Sequence, residues 1–145
     1  MPIITQADLA TNIYAEVINE ITRSDSTITD RAIATAIQEA KMYLARYDLV
    51  QLFGTDTTDP LIRDEYLNSI VKDLACWHLL RLSNVSIDYT VFRTAYQDAI
   101  AALKNIMAGQ AQPEGWPYLD TTASEPVPDG DAISWNSNPK RNNYY

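Results

Sequence analysis

The stretch DPLIRDEYLNSIVKDLACWHLLRL, residues 59–82, is too apolar to be exposed on any side. Asp59 suits an N-cap and Pro60 suits the first helical turn, which needs no N–H, so a helix is predicted to begin here. Two apolar stripes follow at helical spacing: Leu67, Ile70, Val71, Leu74, Trp77 and His78 form one, and Ala75, Leu79 and Leu82 form the other. Because two faces are apolar, the sequence predicts a central helix covered by other helices.

Two helices are predicted before the central helix. The first begins with a capping box of Thr5 and Asp8, and apolar residues at steps of four continue it to residue 23. The second is predicted over residues 30–48, with Ser26 or Thr29 as its cap. Residues 49–53 either extend this helix or form a short bent turn, and Gly54 ends it in a left-handed conformation.

One helix is predicted after the central helix, from Asp88 to Gly109. Its apolar positions recur at helical spacing, and Gly109 is expected to stop it. The connection formed by residues 83–87 is short, which predicts that this helix runs antiparallel to the central one. The predicted fold is therefore all-α, a small bundle of about four helices formed by residues 1–109.

Composition excludes several classes of protein. A chain of 145 residues is one domain by length, and its net charge of −8 argues against tight sequence-independent binding to DNA. The single Cys76 rules out a disulfide framework within one chain. No apolar run approaches the length of a membrane span, and the first residues lack the pattern of a signal peptide. The expectation is a soluble protein that does not interact with membranes.

Residues 110–145 differ from the rest, since they are rich in proline and show no helical period. We predict that they form a long extended C-terminal arm. Large aromatic side chains are typical of arms that dock on a partner, and two adjacent basic residues suit an acidic patch. The candidate contacts in the arm are Trp116, Tyr118, Trp135, Lys140, Arg141, Tyr144 and Tyr145.

No set of residues for catalysis, metal binding or cofactor binding is found in the sequence. Cys76 and His78 point in different directions on a helix and cannot share an ion, so we interpret Cys76 as a core residue and His78 as a packed or interface histidine. Glu16 and Glu20 are one turn apart, and a solvated helix face is the favoured interpretation. The sequence contains no glycine-rich phosphate loop and no nucleophile elbow. No enzyme activity and no cofactor are expected.

Acidic residues are present in both parts of the chain, with a net charge of −5 for residues 1–109 and −3 for the arm. Two interpretations stay open. The charge serves solubility, or acidic side chains from many copies, with Asp129 and Asp131 as candidates, line a channel through which DNA slides without binding.

Three segments resemble the Mu-like prophage proteins that are grouped with the head-tail connectors of tailed phages. The first runs from residue 32 to 49 and contains Tyr43-Leu44-Ala45-Arg46-Tyr47. The second combines Pro60-Leu61 with residues 71–80. The third comprises Tyr96, Ala99, Leu103, Ile106 and Ala108-Gly109. The resemblance covers residues 4–109 and depends on the order and spacing of the segments; the long arm departs from the family pattern.

The resemblance implies a structural head-tail connector, or adaptor, in the neck of the virion, made in the cytoplasm of the host bacterium. Such subunits form a homo-oligomeric ring, typically of twelve copies, beneath the portal protein. The ring extends the DNA channel and gives tail or tail-completion proteins a platform. Tyr43, Arg46 and Tyr47 occupy positions of the family pattern, with roles in packing or subunit contact. The alternative is a small helical adaptor or regulatory protein whose arm docks on one partner.

Overall fold

The computed structural model describes residues 3–82 and 88–120. This part of the chain is all-α, as predicted, and contains no strand. Its helices are α1 (Gln6–Leu9), α2 (Ala15–Thr22), α3 (Ser26–Tyr43), α4 (Leu49–Phe53), α5 (Glu65–Leu80) and α6 (Tyr89–Met107). Six helices replace the predicted four, because the first predicted helix is two helices and residues 49–53 form a helix of their own. None of these helices combines the length and hydropathy needed to cross a membrane.

The central position of α5 is confirmed. It packs against α1, α3 and α6, and α3 also contacts α6, α2 and α1. Leu67, Ile70, Val71 and Leu74 of the first stripe are buried, as are Ala75 and Leu79 of the second. Trp77 and His78 are half-buried, and Leu82, beyond the end of the helix, is exposed. Burial of both stripes explains why α5 needs neighbours on more than one side.

The predicted start of the central helix at Asp59 and Pro60 is wrong. Asp64 is the N-cap, and its carboxylate accepts the backbone N–H of Leu67 at 2.7 Å. Residues 59–63 instead run back beside α4, where the N–H of Leu61 donates to the carbonyl of Gln51 at 2.9 Å. The chain leaves α4 before Asp64 supplies the cap, so α5 begins five residues later than Pro60.

The predicted first helix is interrupted between α1 and α2. The carboxylate of Asp8 accepts the backbone N–H of Thr5 at 2.7 Å, as expected for the capping box. The hydroxyl of Thr11 then donates to the carbonyl of Asp8, and the amide of Asn12 donates to Asp73 on α5. Polar side chains that bond to nearby backbone or to another helix compete with helical continuation, so the chain turns here.

The second predicted helix also has different limits. Asp25 is the N-cap of α3, with the N–H of Thr27 as donor, whereas the proposed cap Thr29 lies buried inside the helix. The helix ends at Tyr43, because Asp48 caps a separate helix, α4, by accepting from Val50 and Gln51. Gly54 ends α4 with φ +71°, as predicted, and a Cβ there would lie 2.6 Å from the carbonyl oxygen of Thr58.

The last helix agrees with its prediction. Asp88 caps α6, and Gly109 follows its end with φ +76°. The antiparallel connection predicted for residues 83–87 lies outside the described residues. The C-terminal end of α6 leads into residues 110–120, the described part of the arm.

Candidate functional site at the junction of arm and body

Trp116 anchors the described part of the arm in the helical body. Its side chain is only 4 % exposed. The indole ring meets the ring of Tyr47 edge-on, with 5.4 Å between centroids. The indole Nε1–H donates to Oδ2 of Asp64 at 3.0 Å. The buried indole is therefore both packed and satisfied in its one polar group.

Backbone hydrogen bonds hold the next residues of the arm against the segment between α3 and α4. The N–H of Asp48 donates to the carbonyl of Pro117 at 2.9 Å, and the N–H of Leu119 donates to the carbonyl of Arg46 at 3.0 Å. Tyr47 and Tyr118 thus form an isolated antiparallel β-bridge. We call residues 46–48 and 116–119 the junction.

The two tyrosine rings of the junction are stacked, with centroids 5.0 Å apart. Burial, together with a side-chain hydrogen bond to Tyr118, raises the pKa of Tyr47 above its ordinary value of 10.0. The phenol of Tyr47 therefore stays neutral at physiological pH.

Residues predicted as interface candidates meet in the junction, but two of them are buried within their own chain. Tyr47 is 3 % exposed, so neither it nor Trp116 presents its ring to a partner. This corrects the interpretation of Trp116 as a docking residue: its ring fills a gap beside Tyr47 and Asp64 of the same molecule. Tyr118 is 56 % exposed, and Tyr43 is half-buried on the last turn of α3.

Arg46 connects the junction to the end of α6. Its side chain is exposed, and Nη1 donates to the carbonyl of Met107 at 3.4 Å. The remaining candidates, Trp135, Lys140, Arg141, Tyr144, Tyr145, Asp129 and Asp131, lie outside the described residues.

Exposed apolar side chains surround the junction. Five residues with large apolar side chains belong to the segment 46–51 or are joined to it by a hydrogen bond or the β-bridge. Their exposed fractions are 59 % for Val50, 71 % for Leu61, 46 % for Met107, 56 % for Tyr118 and 52 % for Leu119. We call these five the junction surface. Contiguous exposed apolar side chains are typical of sites of protein–protein contact, which makes these five a candidate for such a site.

A second polar cluster lies between α3, α5 and α6. Nε2 of His78 is 2.6 Å from Oε2 of Glu39, and the hydroxyl of Tyr96 donates to Oε1 of Glu39 at 2.7 Å. Trp77 stacks on Tyr96 with 5.6 Å between centroids. Burial, followed by the hydrogen bond to Glu39, raises the pKa of Tyr96 to about 12. The three polar groups satisfy one another, which agrees with a packed histidine.

Glu39 was not singled out from the sequence, and Tyr96 was named only for its place in the resemblance. Glu39 lies beside Ala36 and Ala40, which are buried, and a carboxylate next to an apolar stripe is the signal that could have found it. Asp64 was missed for another reason: its partner Trp116 is 52 residues away in the sequence.

Cys76 lies in the core and is 2 % exposed, as predicted. Burial raises the pKa of its thiol to about 12, so it stays protonated and unreactive near neutral pH. Within residues 3–82 and 88–120, no three His, Cys, Asp or Glu side chains are grouped as metal ligands would be.

Comparison of the chain with protein-family models and with curated proteins finds no match.

Proposed function

We propose that this chain is a structural subunit of a head-tail connector of a tailed bacteriophage, forming a ring with copies of itself beneath the portal protein. The observation that carries the proposal is the junction surface, five exposed apolar side chains around the segment 46–51. This is the region in which the resemblance to connectors implies packing or subunit contact. A neighbouring copy that covered these side chains would bury apolar area that one copy leaves in water.

The arrangement of the helices also supports the proposal. The three segments that carry the resemblance lie mainly on α3 and the turn after it, on α5, and on α6, and α3, α5 and α6 pack against one another. The pattern therefore falls on the core of one bundle. A ring requires two different contact surfaces on each subunit, and the proposal assigns the junction surface to one of them.

In this proposal the ring extends the DNA channel of the portal and gives tail proteins a platform in the neck of the virion. Residues 121–145 of the arm reach the portal, a neighbouring subunit or a tail protein. Asp129 and Asp131 keep the channel acidic, so that DNA passes without binding. The subunit acts through its surfaces and has no enzymatic role.

Oligomeric state tests the proposal directly. The purified chain, alone and mixed with the portal protein, is analysed by light scattering after gel filtration and by negative-stain microscopy. We expect rings, or incorporation into portal assemblies. A chain that stays a monomer or dimer under both conditions would instead favour a small adaptor protein.

Two variants locate the contact. Leu61→Asp with Leu119→Asp places charges in the junction surface, and we expect ring assembly to be lost while helical content is kept. Val91→Asp with Tyr14→Asp is the matched control, because Val91 is 68 % and Tyr14 is 80 % exposed outside the junction. Equal loss of assembly in both variants would contradict the assignment of the contact to the junction surface.

A further inference from the structure

A cavity of about 700 Å³ lies where the end of α2, the first half of α3 and the end of α5 meet. Three arginines and one histidine line it: Arg23, Arg31, Arg81 and His78. Ile21, Ile28, Ala32 and Leu82 supply an apolar wall. The volume lies within the range of about 300–1,000 Å³ that is usual for small-molecule sites. We call this space the arginine cavity.

The charge of the arginine cavity differs from that of the whole chain. The chain has 19 acidic and 11 basic residues, yet no aspartate or glutamate lines this space. Glu39, beside the cavity, bonds to His78 and Tyr96, and Asp25 caps α3, where the charge of Arg31 contributes to lowering its pKa. Within the described part of the chain, none of the three guanidinium groups forms an ion pair or hydrogen bond with another side chain.

The backbone at Arg23 also deviates from the ordinary. Arg23 and Ser24 both have positive φ, 53° and 63°, at a place where helices usually use glycine. Strained non-glycine residues are found preferentially at functional sites. Here the left-handed conformation is tolerated at a residue whose side chain lines the cavity.

Helix dipoles explain only part of this arrangement. Arg23 and Arg81 are the C-caps of α2 and α5, where a positive charge is favourable. Arg31 lies in the N-terminal half of α3, where the dipole gives a positive charge no advantage. Arg31 is instead close enough to the carboxylate of Asp25, the N-cap of the same helix, to contribute to lowering its pKa.

We propose that the arginine cavity binds a compact ligand with more than one phosphate group. One guanidinium group can donate two parallel hydrogen bonds to the oxygens of a phosphate. Three guanidinium groups carry more positive charge than one carboxylate can balance. The concave shape and the net charge of −8 favour a small ligand over a long nucleic acid. The apolar wall suits the organic part of such a ligand. This inference is independent of the connector proposal.

Calorimetric titration of the full-length chain with tripolyphosphate at low ionic strength tests the proposal. We expect saturable binding of one tripolyphosphate per chain and a rise in thermal stability with ligand concentration. Citrate, which carries carboxylates only, should bind more weakly. Citrate binding of equal strength, or no binding of tripolyphosphate, would overturn the proposal.

Paired variants place the binding in the arginine cavity. Arg31→Gln with Arg81→Gln should weaken tripolyphosphate binding about tenfold or more, because two guanidinium forks are lost. Arg93→Gln with Lys104→Gln removes the same charge from α6, outside the cavity, and should change binding little. Equal weakening in both variants would mean that bulk charge alone attracts the ligand, and the proposal would fail.

Two further measurements distinguish binding at the proposed site from an effect on folding and from binding of nucleic acid. Arg31→Lys with Arg81→Lys keeps the charge and the helix dipoles but removes the fork, so binding should weaken while circular dichroism stays unchanged. The second measurement is a titration with a short DNA duplex, whose phosphates belong to a polymer and not to a compact ligand. Tighter binding of the duplex than of tripolyphosphate, lost in the same variants, would overturn the proposal in favour of a DNA contact.

Discussion

One carboxylate, that of Asp64, stabilises two parts of the molecule. Oδ1 accepts the N–H of Leu67 at the start of α5, and Oδ2 accepts the indole N–H of Trp116 in the arm. The beginning of the central helix and the anchoring of the arm therefore depend on the same side chain.

Substitutions at Asp64 should separate these two contributions. Asparagine keeps one oxygen for the helix cap but cannot accept both donors, so Asp64→Asn should cost about 1 kcal/mol of unfolding free energy, as for one hydrogen bond. Asp64→Ala loses both bonds and should cost about 2–3 kcal/mol. Urea unfolding followed by circular dichroism measures both values.

Trp116→Phe is the matched control for that experiment, because it keeps an aromatic ring and removes the indole N–H. Its cost, beyond the smaller ring, should disappear in the Asp64→Asn background, since the bond is already broken there. Additive costs in the double variant would show that the bond between Asp64 and Trp116 contributes nothing to stability.

Some residue roles could be predicted from sequence and others could not. Gly54, Asp88 and Cys76 were predictable, because each role follows from residue type and immediate neighbours. The bond between Asp64 and Trp116 depends on a contact between distant parts of the chain. Local pattern carries no information about such a contact.

At the scale of elements, the helices agree with prediction in type more than in extent. The apolar period located α3, α5 and α6, because burial on one or two faces imposes it. The observed ends of the helices differ from the predicted ends where polar side chains form hydrogen bonds that compete with the helix or cap it at another residue. Thr11 and Asn12 end the first run early, and α5 begins where the carboxylate of Asp64 accepts the N–H of Leu67.

The arm contributes to the stability of the body through residues 110–120. Deletion of residues 121–145 leaves the junction intact, and the unfolding free energy should change by less than about 0.5 kcal/mol. Deletion of residues 110–145 also removes the buried Trp116 and uncovers Tyr47. The second truncation should be less stable by about 2–4 kcal/mol, since a large apolar side chain and its hydrogen bond are lost.

Thermal and urea unfolding of the two truncated chains and the full chain measures this difference. The comparison has an internal control, because both truncations remove residues 121–145. Equal stability of the two truncations would contradict an energetic role for the junction.

For the whole molecule, stability should depend on acid through the helix caps. Hydrogen bonds lower the pKa of three capping aspartates below the ordinary 3.8. Asp25 accepts from the hydroxyl and the N–H of Thr27, and Asp48 accepts mainly from the N–H of Gln51. Asp88 accepts from the N–H of Thr90. A lowered pKa in the folded state stabilises the fold above the unfolded pKa, and this contribution is lost as pH falls below about 4. Asp73 acts in the opposite sense, because burial raises its pKa.

A triple variant with asparagine at the three caps isolates this effect, since asparagine caps a helix without titrating. The wild type should lose stability between about pH 4 and pH 2, and the triple variant should lose less of it. Asparagine at the exposed Asp30, Asp56 and Asp98, which cap no helix, serves as the control. Identical urea midpoints for wild type and triple variant across this range would contradict the prediction.

The all-α class of the whole molecule was predictable, since composition and apolar period both indicate helices. The site was predictable only in part. The positions Arg46, Tyr47, Trp116 and Tyr118 were selected separately, but that they meet in one junction depends on how the chain returns from the end of α6 to the start of α4. No local rule specifies that return path.

The bond between Asp64 and Trp116 also sets an order of events during folding. The indole meets its acceptor only when residues 52 apart in sequence have come together, and we expect the helices to form first because their contacts are local. Packing of Trp116 against Tyr47 should therefore be a late step of folding, slower than the collapse of the helices. A nascent chain on the ribosome would leave the ring of Tyr47 uncovered until Trp116 had emerged.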